Sequence, residues 1–376
     1  MFAAMLRELR YLKCHKVDAF MAIIMPLLII IFFTSMLSAG KAEHLPIAIV
    51  DQDQSQLSRQ IIHNLSINPS LSVKTISSSQ DEVERMINST QVWGFVFIPE
   101  GAEQRLVQAK NAQISMAYNQ SFFSIGNTIA SAMQSSTLNA IGDYLGNSYL
   151  ANKIPYAEFP TPHVKVSMLY NPSMSYELFL EPFIVPAVLH LLLCCCIAFA
   201  IGQEFKRHTF AEWLGSTQIV SRFFGKILFY VLIFCFWTWC WMFWLTQVKG
   251  YFIAGSLSFL LIAQFVFYFA YAMISSSVIL ATKDLPKSFG FIALYGGSSM
   301  SFAGVTLPLN NAPAFTQLWS MIIPFTPYAK LQTEQWVIGS DVIISVIPFI
   351  ILLVFAVIFS LLSLRLLKKN VQEIHS

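Results

Sequence analysis

The sequence contains a dipeptide that could end a phosphate-binding loop, Gly225-Lys226. Such a loop needs a glycine five residues before its second glycine and a Ser or Thr hydroxyl directly after the lysine, to hold magnesium. Val220 and Ile227 stand at those two positions, so we expect no ATP hydrolysis by this route. No HExxH or GxSxG spacing and no His/Cys cluster occurs either. We therefore expect a chain that is not itself an enzyme and binds no cofactor or metal.

Three ionisable residues fall in one apolar run: Glu177, Glu181 and His190. The two acids are four residues apart, beside Pro182 and Pro186, and therefore share a helical face. An acid inside a membrane span is a candidate functional residue, so a role in a substrate pathway or in gating competes with a solvated position at the membrane interface. His190 lies deeper, where it either donates a hydrogen bond between helices or carries protons.

The most informative polar stretch is QEFKRHTFAEWLGSTQIVSRFFGK, residues 203–226. Its charged start is followed by apolar residues at helical spacing, among them Phe205, Trp213 and Leu214, and then by Gly215. This spacing indicates a short amphipathic helix directly after a membrane span. The helix either docks into a partner or only turns the chain back, and the spacing by itself favours neither.

The composition places these residues in a membrane protein. The chain has 376 residues, of which 56% are hydrophobic and 11% are charged, whereas soluble domains carry roughly 25% charged residues. The net charge of +3 favours no nucleic-acid partner.

A membrane helix needs about 20 mostly apolar residues. Six such runs occur, at Ala19–Ser38, Leu178–Gly202, Phe223–Val248, Phe252–Thr282, Phe289–Leu307 and Val342–Leu367. The predicted fold class is an α-helical polytopic membrane protein with six transmembrane helices.

Lys and Arg residues alternate between the segments that join these runs. They are concentrated in residues 1–18, in residues 203–226, after the fourth run and in the tail 368–376. Because cytoplasmic segments carry the excess of Lys and Arg, both termini are predicted to be cytoplasmic, in a bacterial inner membrane. Residues 1–18 also have the pattern of an amphipathic helix lying on the lipid surface. The run at 19–38 is longer than a signal-peptide core, which favours an uncleaved transmembrane helix.

Residues 39–176 form a long polar region without cysteine, so no disulfide framework is expected there. Short apolar or alternating runs predict strands at Ile47–Asp51, Ser72–Ile76, Val92–Ile98, Ile114–Tyr118 and His163–Leu169. Helical spacing predicts helices at Gln56–Leu65, Gln80–Ser89 and Phe122–Tyr149. The region is therefore predicted to be an inserted α/β extracytoplasmic domain.

Residues 177–367 are predicted to carry the second to sixth transmembrane helices. Between the last two lie residues 308–340, in which the stretch Gln317–Ile338 is apolar but is interrupted by Pro324 and Pro327. Non-helical backbone in a membrane is tolerated only where protein or water satisfies it. We therefore predict an external hairpin, broken or re-entrant, near the surface.

Several short motifs resemble those of the permeases of type-2 ABC exporters. The family's RExExGT…L…GK segment is matched by Glu204, Thr209, Leu214 and Gly225-Lys226. At other positions of this segment the chain departs from the pattern, since His208 replaces a glycine and Lys206 an acid. The segments Val50–Asp53, Val164–Pro172 and Pro324–Tyr328 are similar to further pieces of the family. The layout of one span, a large domain and five spans also agrees.

This resemblance implies a half-transporter that works with separate ATPase subunits. The chain would pair with a second permease copy or a paralogue and would bind cytosolic ATP-binding cassette subunits, which hold the ATP and magnesium. Residues 203–222 would be the coupling helix. Its expected contact residues are Glu204, Lys206, Arg207, Thr209, Phe210 and Trp213. The family also often recruits a periplasmic adaptor and an outer-membrane channel.

Other functions compete with ATP-driven export. A membrane-anchored receptor or sensor, with a ligand in its α/β domain, would not need five further spans. An ion-coupled transporter would need paired charges near the midplane, and the spans offer few besides His190. The tryptophans of the third run, Trp237, Trp239, Trp241 and Trp244, either cage a cationic or lipid-like substrate or form an aromatic belt. The apolar spans favour an amphipathic or hydrophobic substrate, such as a drug or a lipid.

Overall fold

The computed structural model describes residues 1–38, 40, 42–108, 110–119, 123–146, 170–171, 175–215, 218–307, 309–310 and 312–375. The chain divides into two compact units. The membrane unit comprises Met1–Ser38 and Tyr176–Ser376, and the α/β unit comprises Ala39–Ser175.

Two helices precede the α/β unit. α1 (Phe2–Cys14) buries Ala4, Glu8 and Leu12, which are spaced by four and therefore share one face. α2 (Lys16–Leu37) is long and apolar enough to cross a membrane. Its 22 residues span about 33 Å at 1.5 Å per residue, against about 30 Å of hydrocarbon.

The α/β unit is built on a four-stranded sheet with the order β2-β1-β3-β4. The strands are β1 (Leu45–Asp51), β2 (Leu71–Ser77), β3 (Gly94–Ile98) and β4 (Ser115–Tyr118). β1 runs parallel to β2 and β3, and β4 is antiparallel to β3. The helices are α3 (Gln56–Ile67), α4 (Gln80–Asn88), α5 (Ala102–Val107) and α6 (Phe123–Asp143).

Alternation along β1 divides the core of this unit between the two faces of the sheet. Ile47 and Ile49 share a buried cluster with Leu57 of α3, whereas Ala48 and Val50 pack with Val83 of α4. The four strands and three helices agree with the predicted ones to within a few residues. α5 was not predicted, because a helix of six residues is too short to show the helical spacing of apolar residues. The predicted strand His163–Leu169 and the end of the predicted helix Phe122–Tyr149 lie outside the described residues.

Four more long helices complete the frame of the membrane unit. They are α7 (Tyr176–Lys206), α9 (Ile219–Val248), α10 (Leu257–Thr282) and α15 (Val342–His375), and α8 (Phe210–Leu214) joins α7 to α9. α10 packs along both α7 and α15, and α2 lies along α7. With α2, five helices among the described residues are long and apolar enough to cross a membrane.

The predicted span Phe289–Leu307 is not one helix. It is divided between α11 (Leu285–Gly297) and the four-residue α12 (Ser299–Phe302). The 13 residues of α11 cover only about 20 Å, which is less than the hydrocarbon thickness. Gly296 and Gly297 close α11, as expected of a residue with low helix propensity. The sixth transmembrane helix therefore stays a prediction.

The predicted hairpin forms two short helices, α13 (Ala314–Met321) and α14 (Phe325–Gln332). Phe325, at the start of α14, packs against His190 in the middle of α7. Gln332, at its end, donates a hydrogen bond to the Pro182 carbonyl. That carbonyl has no partner within α7 because Pro186 lacks an N–H group. The bend between α13 and α14 thus lies beside the middle of α7.

Candidate functional site

A buried ion cluster joins three helices at the Lys206 end of α7. Its centre is the Lys226 ammonium group of α9, which lies 2.7 Å from Glu204 Oε1 of α7 and 3.2 Å from Glu8 Oε1 of α1. Lys226 also donates to the Ala200 carbonyl oxygen over 3.0 Å. Only 3% of Lys226 and 2% of Glu8 are exposed. We call Glu8, Glu204 and Lys226 the ion cluster.

The ion cluster carries two carboxyl groups for one ammonium group. Burial raises the pKa of the Glu8 carboxyl, and the nearby Lys226 only partly offsets this effect. The Tyr230 hydroxyl donates to Glu8 Oε2 over 3.4 Å, and Arg7 Nη2 lies 3.7 Å from Glu204 Oε1. Buried charges are tolerated when they are paired and hydrogen-bonded, and breaking such a pair is costly. The ion cluster therefore holds α1, α7 and α9 in one arrangement.

The ion cluster also holds the turn that follows α7. The Thr209 hydroxyl donates to Glu204 Oε2 over 2.5 Å, and Lys226 Nζ lies 4.5 Å from the centroid of the Trp213 ring. A cation over the face of an indole is attracted by the negative face of the ring's quadrupole. Glu204 and Lys226 thus connect α8 to the two long helices on either side of it.

The turn contains a residue in an unusual backbone conformation. His208 has a φ of 58°, in the left-handed region that favours glycine. α7 therefore ends at Lys206, and the chain restarts as α8 at Phe210. The resulting five-residue helix is shorter than the coupling helix predicted over residues 203–222. Glycine, which the resembled family carries at this position, would adopt such a φ without strain.

The residues predicted to contact an ATPase divide into buried and exposed groups. Phe210 and Trp213 are 2% and 1% exposed, because they pack inward against Phe205 and Phe223. Glu204 is buried in the ion cluster. The remaining three are half-buried Thr209 and exposed Lys206 and Arg207.

An exposed surface remains at the turn, made of Lys206, Arg207, Ala211 and Glu212. We call these four residues the turn surface. The buried residues can act on a partner only by fixing the position of this surface. The Arg207 guanidinium lies 5.4 Å from the centroid of the Tyr11 ring, so α1 supports the turn surface as well.

A role for Glu8 was not predicted from the sequence, and Lys226 was considered only as part of a short motif. A signal for Glu8 is present, since an acid stands between Ala4 and Leu12 on the stripe that α1 buries. An acid at the centre of an apolar stripe requires a buried partner. The partner itself could not be predicted, because Lys226 is more than two hundred residues away along the chain.

Gly225 allows α1 to approach α9 closely, and Gly225→Leu is expected to displace α1. A Cβ atom at Gly225 would lie 2.7 Å from the Met1 carbonyl oxygen and 2.8 Å from Ala4 Cβ. Overpacking of this kind costs about 1–3 kcal/mol, and it would also separate Glu8 from Lys226. The midpoint of thermal unfolding of the detergent-purified chain should fall.

Gly290→Leu is the matched control, because a Cβ atom at Gly290 of α11 would meet nothing within 4 Å. The midpoint of this variant should stay within the error of the measurement. Equal midpoints for the two leucine variants would contradict the close packing of α1 on α9.

The two acids at the Tyr176 end of α7 are buried and make specific contacts. Glu177 forms an ion pair with Lys249 at 3.0 Å and accepts a hydrogen bond from the Tyr251 hydroxyl at 2.6 Å. Glu181 accepts hydrogen bonds from Thr34 at 2.5 Å and from Trp241 Nε1 at 2.9 Å. Glu181 therefore ties α2 and α9 to α7, whereas Glu177 ties α7 to the segment after α9.

His190 lies away from both acids, in an aromatic cluster. It is 0% exposed, and its ring centroid is 4.1 Å from that of Tyr271, 5.5 Å from Phe267 and 5.7 Å from Phe325. Its Nδ1 atom lies 3.1 Å from the Pro186 carbonyl oxygen. His190 thus packs α7 against α10 and the start of α14, and the structure does not bring it together with Glu177 or Glu181.

Among the described residues, no group of three or more His, Cys, Asp or Glu side chains could hold a metal ion. Three residues of the exporter motif, in contrast, meet in space. Glu204 contacts both Thr209 and Lys226, and Gly225 makes room for α1. Spacing along the sequence had predicted one surface helix, whereas the structure shows a buried ion cluster beneath a short exposed turn.

Comparison with known proteins gives one clear result. Residues 16–365 match the family described as ABC-2 family transporter protein. No curated protein matches the chain. The match covers nearly the whole chain, including every motif on which the resemblance was based. Family members are membrane components of transporters that work with an ATPase. The chain therefore belongs to the ABC-2 family of transporter proteins.

Proposed function

We propose that this chain is the membrane permease subunit of an ATP-binding cassette exporter. It dimerises with a second copy or a paralogue, and a cytosolic ATPase that holds ATP and magnesium docks on each permease. The observation that carries this proposal is the turn surface above the ion cluster. An exposed turn that is tied by buried charges to α1, α7 and α9 would transmit a displacement of the ATPase into the membrane helices.

The proposed orientation has both termini in the cytoplasm of a bacterium and the α/β unit in the periplasm. Because both termini lie on the same side in this orientation, the chain crosses the membrane an even number of times. A sixth crossing is therefore needed in addition to the five long helices. α11 rises along α7 from Gly202 to His190, since Leu285 lies next to Gly202 and Gly296 lies near His190. α14 continues from His190 to Pro182. Together, α11 and α14 would complete the sixth crossing as a broken helix.

The proposed substrate is amphipathic or hydrophobic, a drug or a lipid, and is moved outward. The periplasmic α/β unit is the proposed docking site for an adaptor that leads to an outer-membrane channel. The proposal for the substrate class rests on the apolar and aromatic membrane helices, whose buried residues form one large hydrophobic cluster. Among the functional residues, Glu177 and Glu181 are proposed to act through helix contacts at the periplasmic end of the pathway.

Reversing the charges of the turn surface is expected to uncouple the ATPase. In Lys206→Glu/Arg207→Glu, the amount of ATPase that co-purifies with the permease should fall about tenfold or more, because docking charges are worth a few kcal/mol. ATP hydrolysis by the remaining complex should no longer respond to substrate. Both side chains are exposed, and the contact between Arg207 and the Tyr11 ring is worth only about 0.5–1 kcal/mol at an exposed site, so the thermal stability of the permease itself should change little.

Lys368→Glu is the matched control, since Lys368 is an exposed lysine at the end of α15. It should leave the co-purified ATPase unchanged. Arg207→Lys tests whether a positive charge alone is sufficient. Full ATPase recovery with the double reversal would refute docking at the turn surface.

A further inference from the structure

The membrane unit contains a cavity of about 480 Å³ between α2 and α9. Leu27, Ile30 and Ile31 form its α2 wall, and Trp237 and Trp241 form much of its α9 wall. This volume lies within the range of about 300–1,000 Å³ that is typical of small-molecule sites. None of the residues that line the cavity belongs to the ion cluster, the turn surface or the aromatic cluster of His190.

The cavity changes from apolar to polar along its length, and both walls change in the same direction. On α2, the apolar residues from Leu27 to Ile31 are followed by Thr34, Ser35 and Ser38. On α9, the wall runs from Trp237 to Trp244 and ends at Lys249. From Leu27 to Ser38 the α2 wall is about 16 Å long at 1.5 Å per residue. The shape fits an elongated amphipathic molecule with its head beside Ser38 and Lys249.

The sign of the charge at the polar end selects the head group. Lys249 is the charged residue in the lining, and its side chain is 28% exposed. Its ammonium nitrogen lies 3.0 Å from Glu177 Oε1, and because an ammonium group has three N–H donors, donors remain for a ligand. Ser35 and Ser38 are exposed hydroxyl groups at the same end. An ammonium group with neighbouring hydroxyl groups favours an anion such as a phosphate, and it disfavours a cationic head.

The floor of the cavity is held rigid by a buried acid. Thr34 and Trp241, which both line the cavity, donate to the same Glu181 carboxylate oxygen, Oε1. Glu181 itself is fully buried. A wall fixed in this way loses little conformational entropy on binding, which favours a preformed site.

We propose that this cavity is a phospholipid-binding site. One acyl chain lies between the aliphatic wall of α2 and the tryptophans of α9, and the phosphate contacts Lys249, Ser35 and Ser38. In the proposed orientation, this phospholipid belongs to the outer leaflet of the inner membrane. The site is defined by binding alone, so it does not depend on the proposed docking of an ATPase.

The chain carries its own reporter for this site. Cys240 is exposed and lines the cavity. Cys14, on α1, is also exposed but is not one of the residues that line the cavity. Cys194, Cys196 and Cys235 are buried, and Cys195 is half-buried. The rate at which a membrane-permeant maleimide labels Cys240 in the detergent-purified full chain therefore measures occupancy, and the labelling rate of Cys14 is the internal reference.

Phosphatidylglycerol is expected to slow the labelling of Cys240 about tenfold at saturation and to leave that of Cys14 unchanged. Diacylglycerol, which has the chains without the phosphate, should need about tenfold more ligand for the same protection, because a charge-assisted hydrogen bond is lost. Inorganic phosphate alone should not protect. Equal protection by diacylglycerol and phosphatidylglycerol would refute recognition of the phosphate, and protection by inorganic phosphate would mean an anion site without a lipid.

Lys249→Gln should abolish the preference for phosphatidylglycerol over diacylglycerol. Because this change also leaves Glu177 without its ion pair, Glu177→Gln/Lys249→Gln is the second variant. It removes both charges together and should show the same loss of preference. A preference that persists in the double variant would overturn the proposal, as would the absence of protection by any lipid in the unsubstituted chain.

Discussion

Lys226→Met is expected to lower the free energy of unfolding by about 3–5 kcal/mol, the cost of breaking a buried ion pair on one side only. Methionine keeps the length of the side chain but leaves the Glu8 and Glu204 carboxyl groups buried without their cation. The cation over the Trp213 ring is lost as well. Chemical unfolding of the detergent-purified chain, followed by tryptophan fluorescence, would measure the loss.

The pH dependence of this variant gives an independent check. Burial already raises the pKa of Glu8, and removal of Lys226 would raise it further. A carboxyl group whose folded pKa lies above its unfolded pKa binds more protons in the folded state, so stability rises as the pH falls between those two values. The deficit of Lys226→Met relative to the unsubstituted chain should therefore shrink as the pH falls toward the ordinary range of a carboxyl group.

Two further variants separate the ion cluster from a general loss of charge. Lys287→Met removes a lysine whose side chain is 75% exposed and should change stability by less than about 0.5 kcal/mol. Glu8→Gln/Glu204→Gln/Lys226→Met removes all three charges and should regain most of the loss, because buried charges replaced together often cost little. If the triple variant were less stable than Lys226→Met, the ion cluster would not be the reason for the loss.

His190→Ala is expected to destabilise the membrane unit by about 3–5 kcal/mol, as truncation of a large buried ring does. The ring fills the space between Tyr271, Phe267 and Phe325, where α7, α10 and α14 meet. An empty space there would loosen the start of α14. Both the unfolding midpoint and the transport rate should fall.

His190→Phe is the matched variant that distinguishes packing from proton transfer. Phenylalanine fills a similar volume but has no ionisable group, so a packing residue should retain near-normal stability and transport. A proton carrier would lose transport in both variants, with normal folding in His190→Phe. That second outcome would favour ion-coupled transport and would argue against the exporter proposed here.

The local pattern of the sequence predicted much of the fold. Apolar length alone identified the five long helices, because a helix that crosses lipid must bury nearly all its side chains in an apolar medium. The strands of the α/β unit followed from short apolar or alternating runs. Ile47 to Val50 is a continuous apolar run, because β1 is packed on both faces of the sheet. These features depend only on residues that are neighbours in the sequence, and they can therefore be predicted from it.

The predicted site was less accurate, for a physical reason. An amphipathic pattern shows that a helix has two faces, but it does not show which face another helix covers. Phe210 and Trp213 were therefore expected at a docking surface, whereas they pack inward. The packing of α14 against α7 was also invisible to hydropathy, since it depends on which neighbour satisfies the free carbonyl group of Pro182.

The sequence by itself determined that this chain is a membrane protein with an inserted α/β unit, together with the short motifs of an exporter permease. Only the tertiary structure shows which of the residues in those motifs come together. Glu8, Glu204 and Lys226 come from three separate parts of the chain, and each would be too costly to bury alone. Packing of α1 and α7 on α9 places them within hydrogen-bonding reach, and that contact converts three isolated charges into the support of a single exposed turn.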